Sequence, residues 1–415
     1  MKHLQKSKVT FIHPDLGIGG AERLVLDVAI VLANEGCEVQ FLTNHFDKSH
    51  AFKELQDETF PVKVVGDWLP RSISGKFYAF FAYMRMLYLA IFYLYFSTEN
   101  KSDIYFVDQI PIAIPFIKWT GGKVIYYCHH PDLLASSPGG FLKTLYRKPI
   151  DWLELKGTSV ADIILVNSKY TSSVFRDTFP TIHKKVTILY PTISQSLYES
   201  ISSKTLTKPV DELVPEIKDN TDNKFVLLSI NRFHPAKKLD LAIKALAELK
   251  NIISTEDLKR VILIIAGGHD PNFSINASYF NELVELANEM KLNNNIVLIK
   301  SPSDELKTDL LLSCDCLLYT PEKEHFGIVP LEAMAARKPV IALNSGGPRE
   351  TVLNETTGFL CDINPQSMAE CISKVLDKKI AKKMGDNGRK RLEQLFTNSV
   401  FHESVVKICN KLLNE

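Results

Sequence analysis

The chain is predicted to be α/β, built as two doubly wound domains with parallel sheets. Three observations lead there. Short apolar runs alternate with helical stretches through the first half of the 415 residues, the same rhythm restarts in the second half, and a polar, strand-poor stretch separates the two. Alternating βα units imply parallel strands joined by right-handed crossovers. Residues 9–12, 39–43, 62–65, 104–107, 124–128, 163–166 and 186–189 read as strands, and 21–34 as a helix ending at Gly36. After the break, strands fit 225–229, 261–266, 296–299, 316–320 and 340–343. Helices fit 239–250, 280–291, 303–313, 329–337 and 368–376. The break from about 190 to 223 carries Pro191, Pro209 and Pro215 among many polar residues. The expected division is therefore 1–200, a linker at 201–222, 223–395, and a C-terminal helix at 396–415 packing back across the domains. Ligands should gather at the carboxyl ends of the strands.

Bulk composition excludes several classes. Lys plus Arg number 49 against 48 Asp plus Glu, so overall charge gives no reason to expect nucleic acid. The seven cysteines form no C-x-x-C pair, and an odd number cannot all pair within the chain, so reduced thiols facing the cytosol are expected. The N-terminus has no cleavable signal pattern. Sequons at Asn100, Asn272, Asn276 and Asn354 read as coincidence, because the tripeptide is common. Residues 77–96 depart from this soluble character, with ten aromatics in twenty residues and Arg85 as the only charge. The length suffices to span a bilayer, but a central arginine costs about 2.5–3.5 kcal/mol on insertion and aromatics favour the interface. With Arg71 and Lys76 just before it, a helix lying in the membrane surface fits better than a span or a buried core helix.

Four segments carry candidate chemistry. In Glu324-His-Phe-Gly-Ile-Val-Pro-Leu-Glu332, two carboxylates bracket the passage from strand to helix. Gly327 permits tight geometry and Pro330 suits a first helical turn. On one helix the glutamates would lie about 12 Å apart. Split between loop and helix, they can flank a ligand with hydroxyls at both ends and phosphate between; as a helix-start charge and a surface charge they need no ligand. Arg232 and Lys237, on the loop after the strand at 225–229, can converge on a diphosphate or form an ordinary basic turn. Gly17-Ile-Gly-Gly20 follows the first strand but lacks the G-x-G-x-x-G spacing, which disfavours a dinucleotide oxidoreductase. Cys128-His-His-Pro-Asp132 follows another strand; a histidine there can serve a sugar hydroxyl or be a satisfied structural histidine, while a metal site, which Asp132 could complete, is disfavoured because the adjacent side chains diverge and no further ligand has matching spacing. The glycine pairs Gly267-Gly268 and Gly346-Gly347 end strands as well, where either a ligand or a tight turn explains them.

Taken together, these segments resemble the retaining glycosyltransferases of the GT-B fold, two facing Rossmann-like domains with an E-x7-E signature, over roughly residues 8–395. More narrowly, the chain resembles the eukaryotic mannosyltransferases that add both the α-1,3 and the α-1,6 mannose in lipid-linked oligosaccharide assembly. The residues behind this likeness are His13-Pro-Asp-Leu-Gly-Ile-Gly-Gly-Ala-Glu-Arg-Leu-Val-Leu-Asp27, Gly66-Asp-Trp-Leu-Pro-Arg71, Tyr127-Cys-His-His-Pro-Asp-Leu-Leu134, Pro149-Ile-Asp-Trp152, Ser229-Ile-Asn-Arg232 and Glu324 through Met334. The resemblance implies GDP-mannose as donor and a dolichyl-diphosphate-linked chitobiose carrying one, then two, mannoses as acceptor. It implies no tightly bound cofactor and no required metal. Action at the cytosolic face of the endoplasmic reticulum membrane follows, with other mannosyltransferases of the pathway as partners. By the family's motif, Glu324 holds sugar hydroxyls and Glu332 the ribose, while Arg232 and Lys237 bind the diphosphate with help from the backbone of Phe326, Gly327, Ile328 and Val329. His129 approaches the donor sugar, and Gly19 and Gly20 lie against diphosphate or sugar. Lys238 stands where Gly or Asn is common and can share the role of Lys237; His130 occupies a position often aromatic, leaving two candidates for the donor-facing histidine. Other readings are a GT-B transferase with a different nucleotide sugar or lipid acceptor, and a non-catalytic nucleotide-sugar-binding scaffold at the membrane.

Overall fold

The computed structural model describes residues 4–96, 101–135, 140–204, 208–217, 224–271 and 273–414. The chain divides into two compact units, one of Met1–Pro191 with Phe401–Glu415, the other of Thr192–Val400.

The first unit is built on seven parallel strands, β1 (Lys8–His13), β2 (Glu38–Thr43), β3 (Val62–Val64), β4 (Ile104–Asp108), β5 (Lys123–Cys128), β6 (Ile163–Val166) and β7 (Val186–Ile188). Their order is β3-β2-β1-β4-β5-β6-β7, so the winding reverses between β1 and β4. Such a reversal leaves a crevice at the carboxyl ends of the strands. Strands covered on both faces become continuous apolar runs, and β4 and β5 carry an unbroken buried stretch accordingly. The helix Asn398–Asn414 returns to this unit and seats Phe401, Val405, Cys409 and Leu412 in the core beside Val9, Val28 and Phe41.

The aromatic stretch forms the helix Tyr78–Phe96. By length and composition it could cross a bilayer, yet Phe81, Tyr83, Arg85, Met86, Leu89, Ala90 and Tyr93 are buried within the unit. Arg85 faces inward: its Nη2 donates to Asp67 at 2.9 Å and to the Asn44 carbonyl at 2.9 Å. The charge that made insertion costly is therefore paired within the protein. The opposite face exposes Tyr78, Phe80, Ile91, Tyr95 and Phe96.

The second unit has six parallel strands, β8 (Phe225–Ile230), β9 (Val261–Gly267), β10 (Ile296–Lys300), β11 (Cys316–Tyr319), β12 (Val340–Leu343) and β13 (Gly358–Cys361), in the order β10-β9-β8-β11-β12-β13. Its reversal lies between β8 and β11. The core beneath is aliphatic, with Leu227, Leu263, Ile265, Leu318 and Ile341 of the sheet packed on Leu246, Ile243 and Ile372 of the helices. The polar stretch expected to be a linker holds the short helices Gln195–Ser203 and Val210–Leu213, which belong to this unit. The first unit thus ends at Pro191, earlier than the expected residue 200. Parts of that linker, 205–207 and 218–223, lie outside the described residues, as do Asn100 and Asn272. All seven cysteines are buried free thiols. Asn276 is buried and donates to the Phe233 carbonyl, so its sequon is inaccessible.

Candidate functional site

In the second unit, the two strands flanking the reversal deliver the predicted residues. Behind β8 the chain passes Asn231 and the exposed Arg232, then turns through Pro235–Lys237. Lys238 closes that turn in the left-handed region at φ +49°, ψ +42°. This geometry explains why Gly or Asn suits its position: both adopt it at low cost. It also separates the two lysines. Lys237 Nζ donates to Glu324 Oε2 at 2.5 Å, whereas Lys238 pairs with Glu322 at 2.6 Å. Thr320, directly after β11, donates its hydroxyl to the Lys237 carbonyl at 2.7 Å, tying the two strand-end loops together.

The loop at 322–327 is buttressed from β12. Gly347 N–H donates to the Glu324 carbonyl at 2.7 Å, and Lys323 N–H to Ser345 Oγ at 3.0 Å. A Cβ on Gly347 would lie 2.4 Å from the backbone of Phe326, so these glycines serve close backbone packing. Gly267 does the same beneath Asn231, whose carbonyl lies 1.6 Å from where a Cβ would be. Both glycine pairs thus shape the loops that carry the charged groups. Gly327 has φ +83° and lies against the Tyr319 ring, and Pro330 stands in the first turn of the helix Val329–Ala335, as expected.

Glu332 is the more buried glutamate. Its Oε1 accepts from Lys307 Nζ at 2.7 Å, while Oε2 is buried without a hydrogen-bond partner among the described residues. A buried carboxylate oxygen left unpaired costs free energy that a ligand hydroxyl would recover. Tyr319 stands beside both glutamates; burial first, then the charges of Glu324 and Glu332, push its phenol far above the ordinary range, so it stays protonated. A cavity of about 660 Å³ is lined by Arg232, Lys237, Lys307, Gly267, Gly268 and Val329 among others, so the lysine partners of both glutamates face it. Its three cations suit an anion, and Arg232 makes no ion pair among the described residues. A neighbouring cavity of about 560 Å³ has Lys307 and Glu332 on one side and Ser194, Ser200, Lys204 and Asp304 on others.

In the first unit the predicted residues also stand at strand ends. Gly19 caps the helix Gly20–Asn34 without a side-chain hydrogen bond; space before Gly20 is open, and the Glu22 carboxylate fills the place a Gly19 Cβ would take. His129, after β5, presents Nε2 to Asp108 Oδ2 at 3.1 Å, its ring 4.6 Å from that of Tyr127. Asp108, at the end of β4, also accepts from His13 Nδ1 at 2.7 Å. His130 is half-buried, and burial lowers its pKa. Asp132 is committed to Arg147 at 3.0 Å, while Glu154 accepts from the backbone N–H groups of Asp132 and Leu133.

Sequence reasoning missed Lys307, Tyr319, Asp108 and Glu154. A lysine within the first turns of a helix, a tyrosine ending a strand and acids in apolar surroundings have no motif of their own; the packing of helices against the strand-end loops sets their roles. The acid Asp108 interrupting the apolar run of β4 was the one readable signal.

A family model described as Glycosyl transferases group 1 matches residues 211–391, and one described as Glycosyltransferase Family 4 matches residues 18–196. The chain is 42% identical over 414 residues to the Homo sapiens alpha-1,3/1,6-mannosyltransferase ALG2, covering 98% of this chain and 97% of that protein. The chain belongs to the alpha-1,3/1,6-mannosyltransferase ALG2 family. The family member from Dictyostelium discoideum is 37% identical, with 99% and 100% covered. It is accordingly a glycosyltransferase, which takes a nucleotide-sugar donor and a glycan acceptor. Solved structures share the GT-B fold: a glycosyltransferase from Rickettsia africae at TM-score 0.75 and 22% identity, covering 98% of this chain and 99% of that one. Anabaena Alr3699/HepE in complex with UDP and glucose aligns at TM-score 0.69 and 19% identity, covering 97% and 99%.

Proposed function

We propose that this enzyme uses GDP-mannose to add an α-1,3 and then an α-1,6 mannose to dolichyl-diphosphate-linked chitobiose carrying one, then two, mannoses. The observation that carries the donor half is the cavity at the β8–β11 reversal, where Arg232, Lys237 and Lys307 surround a space beside Glu324 and Glu332. In this reading Arg232 and Lys237 take the diphosphate. Phosphate oxygens draw Lys237 from Glu324, whose freed carboxylate accepts from sugar hydroxyls near the reacting carbon. The unpaired Oε2 of Glu332 accepts from the ribose, and the backbone of Phe326 to Val329 assists at the helix start. His129 serves the donor sugar, with Gly19 and Gly20 against diphosphate or sugar. As the C1–O bond to the diphosphate breaks, negative charge grows on the leaving group and the two cations stabilise it. The acceptor oxygen bonds C1 on the same face, and its proton passes to the departing diphosphate. Cations of the chain take the place of a divalent ion, so no metal or tightly bound cofactor is needed.

The same proposal sets the enzyme at the cytosolic face of the endoplasmic reticulum, beside other mannosyltransferases of the pathway. The exposed Tyr78, Phe80, Tyr95 and Phe96 would lie in the lipid interface, where aromatics partition favourably. The test is to incubate purified protein with labelled GDP-mannose and the lipid-linked acceptor bearing one mannose, with and without EDTA, and to float it on phospholipid vesicles. Two successive additions, insensitive to EDTA, and vesicle flotation weakened by serine at Phe80 and Tyr95 are expected. Donor binding without transfer would instead favour a scaffold, and transfer from another nucleotide sugar would overturn the donor assignment.

A further inference from the structure

The first unit holds a chain of ionisable groups of which the reaction above uses only the last, His129. Asp108 is fully buried at the end of β4, yet both its oxygens are engaged, one by each of two histidines. His13, at the end of β1, is equally buried; its Nδ1 lies 2.7 Å from Asp108 Oδ1 and its Nε2 3.4 Å from Glu22 Oε1. Glu22 belongs to the first turn of the helix Gly20–Asn34, and its other oxygen lies against Gly19. Four side chains thus run from the Gly17–Gly20 loop, across the reversal between β1 and β4, to His129.

We propose that Glu22, His13 and Asp108 are positioning residues that fix the tautomer of His129 and hold it in register with the Gly17–Gly20 loop. This rests on the reading that His129 serves the donor sugar. An ionised carboxylate only accepts, so each histidine nitrogen facing Asp108 must carry a proton. Asp108 thereby keeps a proton on Nε2 of His129, so that in the neutral ring Nδ1 is the acceptor for a sugar hydroxyl. With Asp108 hydrogen-bonded at Nδ1 and the Glu22 carboxylate 3.4 Å from Nε2, an ion-pair distance rather than a hydrogen bond, His13 is favoured as the imidazolium. Burial opposes that charge, but Asp108 and Glu22 outweigh it and push the pKa up to about 10. Burial likewise opposes ionised Asp108, and the histidines hold its carboxyl below the usual range. Alternating charges in a dry site stabilise a fold weakly compared with apolar packing, but they do fix orientation. An aspartate beneath a histidine does this in serine hydrolases, where asparagine leaves the geometry but selects the wrong tautomer.

The test combines nitrogen NMR of histidine-labelled protein with kinetics. In the wild type, without any substrate, His129 (assigned by loss of its signals in His129→Gln) should show a protonated Nε2 and an unprotonated Nδ1. Asp108→Asn should abolish that preference and lower kcat by about 10–100-fold, as removal of an orienting partner does elsewhere. KM for GDP-mannose should stay unchanged. In a His129→Ala background the same substitution should have no further effect on kcat, whereas a merely structural role would multiply through. Glu22→Gln breaks the chain at its outer end and decides the matter if Asp108→Asn does not fold; it should lower kcat in the wild-type background alone. A wild-type His129 protonated at Nδ1, or losses that multiply in the His129→Ala background, would overturn the proposal. Correct tautomer with no mannosyl transfer by the wild type would instead refute the function proposed for the site.

Discussion

At the scale of single residues, neighbouring lysines are told apart by one backbone angle. Lys238, at φ +49°, turns toward Glu322, and Lys237 toward Glu324. Lys237→Ala and Arg232→Ala should each lower turnover by about 10²-fold in folded protein, the scale of losing a preorganised transition-state donor. Unchanged turnover in either would refute its role at the diphosphate. Lys238→Asn should retain transfer and stay within about 0.5 kcal/mol of wild-type stability, since asparagine tolerates the left-handed region. Gly327→Ala should cost about 1–2 kcal/mol from its positive φ, with more from contact with Tyr319. Urea unfolding of the two variants side by side measures the contrast. The sequence named Lys237, Arg232, Glu324 and Glu332; it could not say that each glutamate rests on a lysine, because Lys307 lies 25 residues from Glu332 and 70 from Lys237.

At the scale of elements, the helix Phe141–Val160 supports the loop bearing His129. Glu154 accepts from Asp132 and Leu133 N–H, and Arg147 holds Asp132. Burial first, then the charge of Asp132, raises the Glu154 pKa from an ordinary 4.5 to about 7. The folded state then holds that proton more tightly than the unfolded chain. Its contribution is present below pH 4.5 and is lost as pH rises toward 7. Denaturant unfolding from pH 4.5 to 7 should show this falling component, and Glu154→Gln should remove it; an identical slope in the variant would show that another group is responsible. Element boundaries were mostly legible, with β6 and β12 matching their apolar runs. The strand β13 was not, because Gly358 sits at φ +157° where a Cβ would meet the Val340 carbonyl, and a glycine after a polar turn carries no strand signal. The helix Tyr78–Phe96 is ambiguous in sequence because aromatics suit both a core and a membrane interface; Arg85, paired inside, sets which face is buried.

At the scale of the whole molecule, the C-terminal segment is part of the first unit's core. Deleting residues 398–415 would remove Phe401, Val405, Cys409 and Leu412 and expose the apolar side chains they cover. With large core side chains each worth about 2–5 kcal/mol on truncation, the loss is comparable to ordinary domain stability. Such a deletion should yield insoluble or protease-sensitive protein, and limited proteolysis should cut within the first unit; wild-type protease resistance would contradict this.

Sequence alone determined the α/β class, the two rounds of parallel strands and the charged segments of the proposed donor site, because periodicity and strand-end motifs are local properties of the chain. Tertiary structure decided what those residues rest on. Lys307 reaches Glu332, Asp108 joins two histidines from different strand ends, and residues 401–412 complete a core begun at residue 4. For the charged groups the physical reason is shared, whereas residues 401–412 are held by apolar burial. In a doubly wound sheet, reversals of strand order make neighbours of residues far apart in sequence, and burial then compels each charge among them to find a partner.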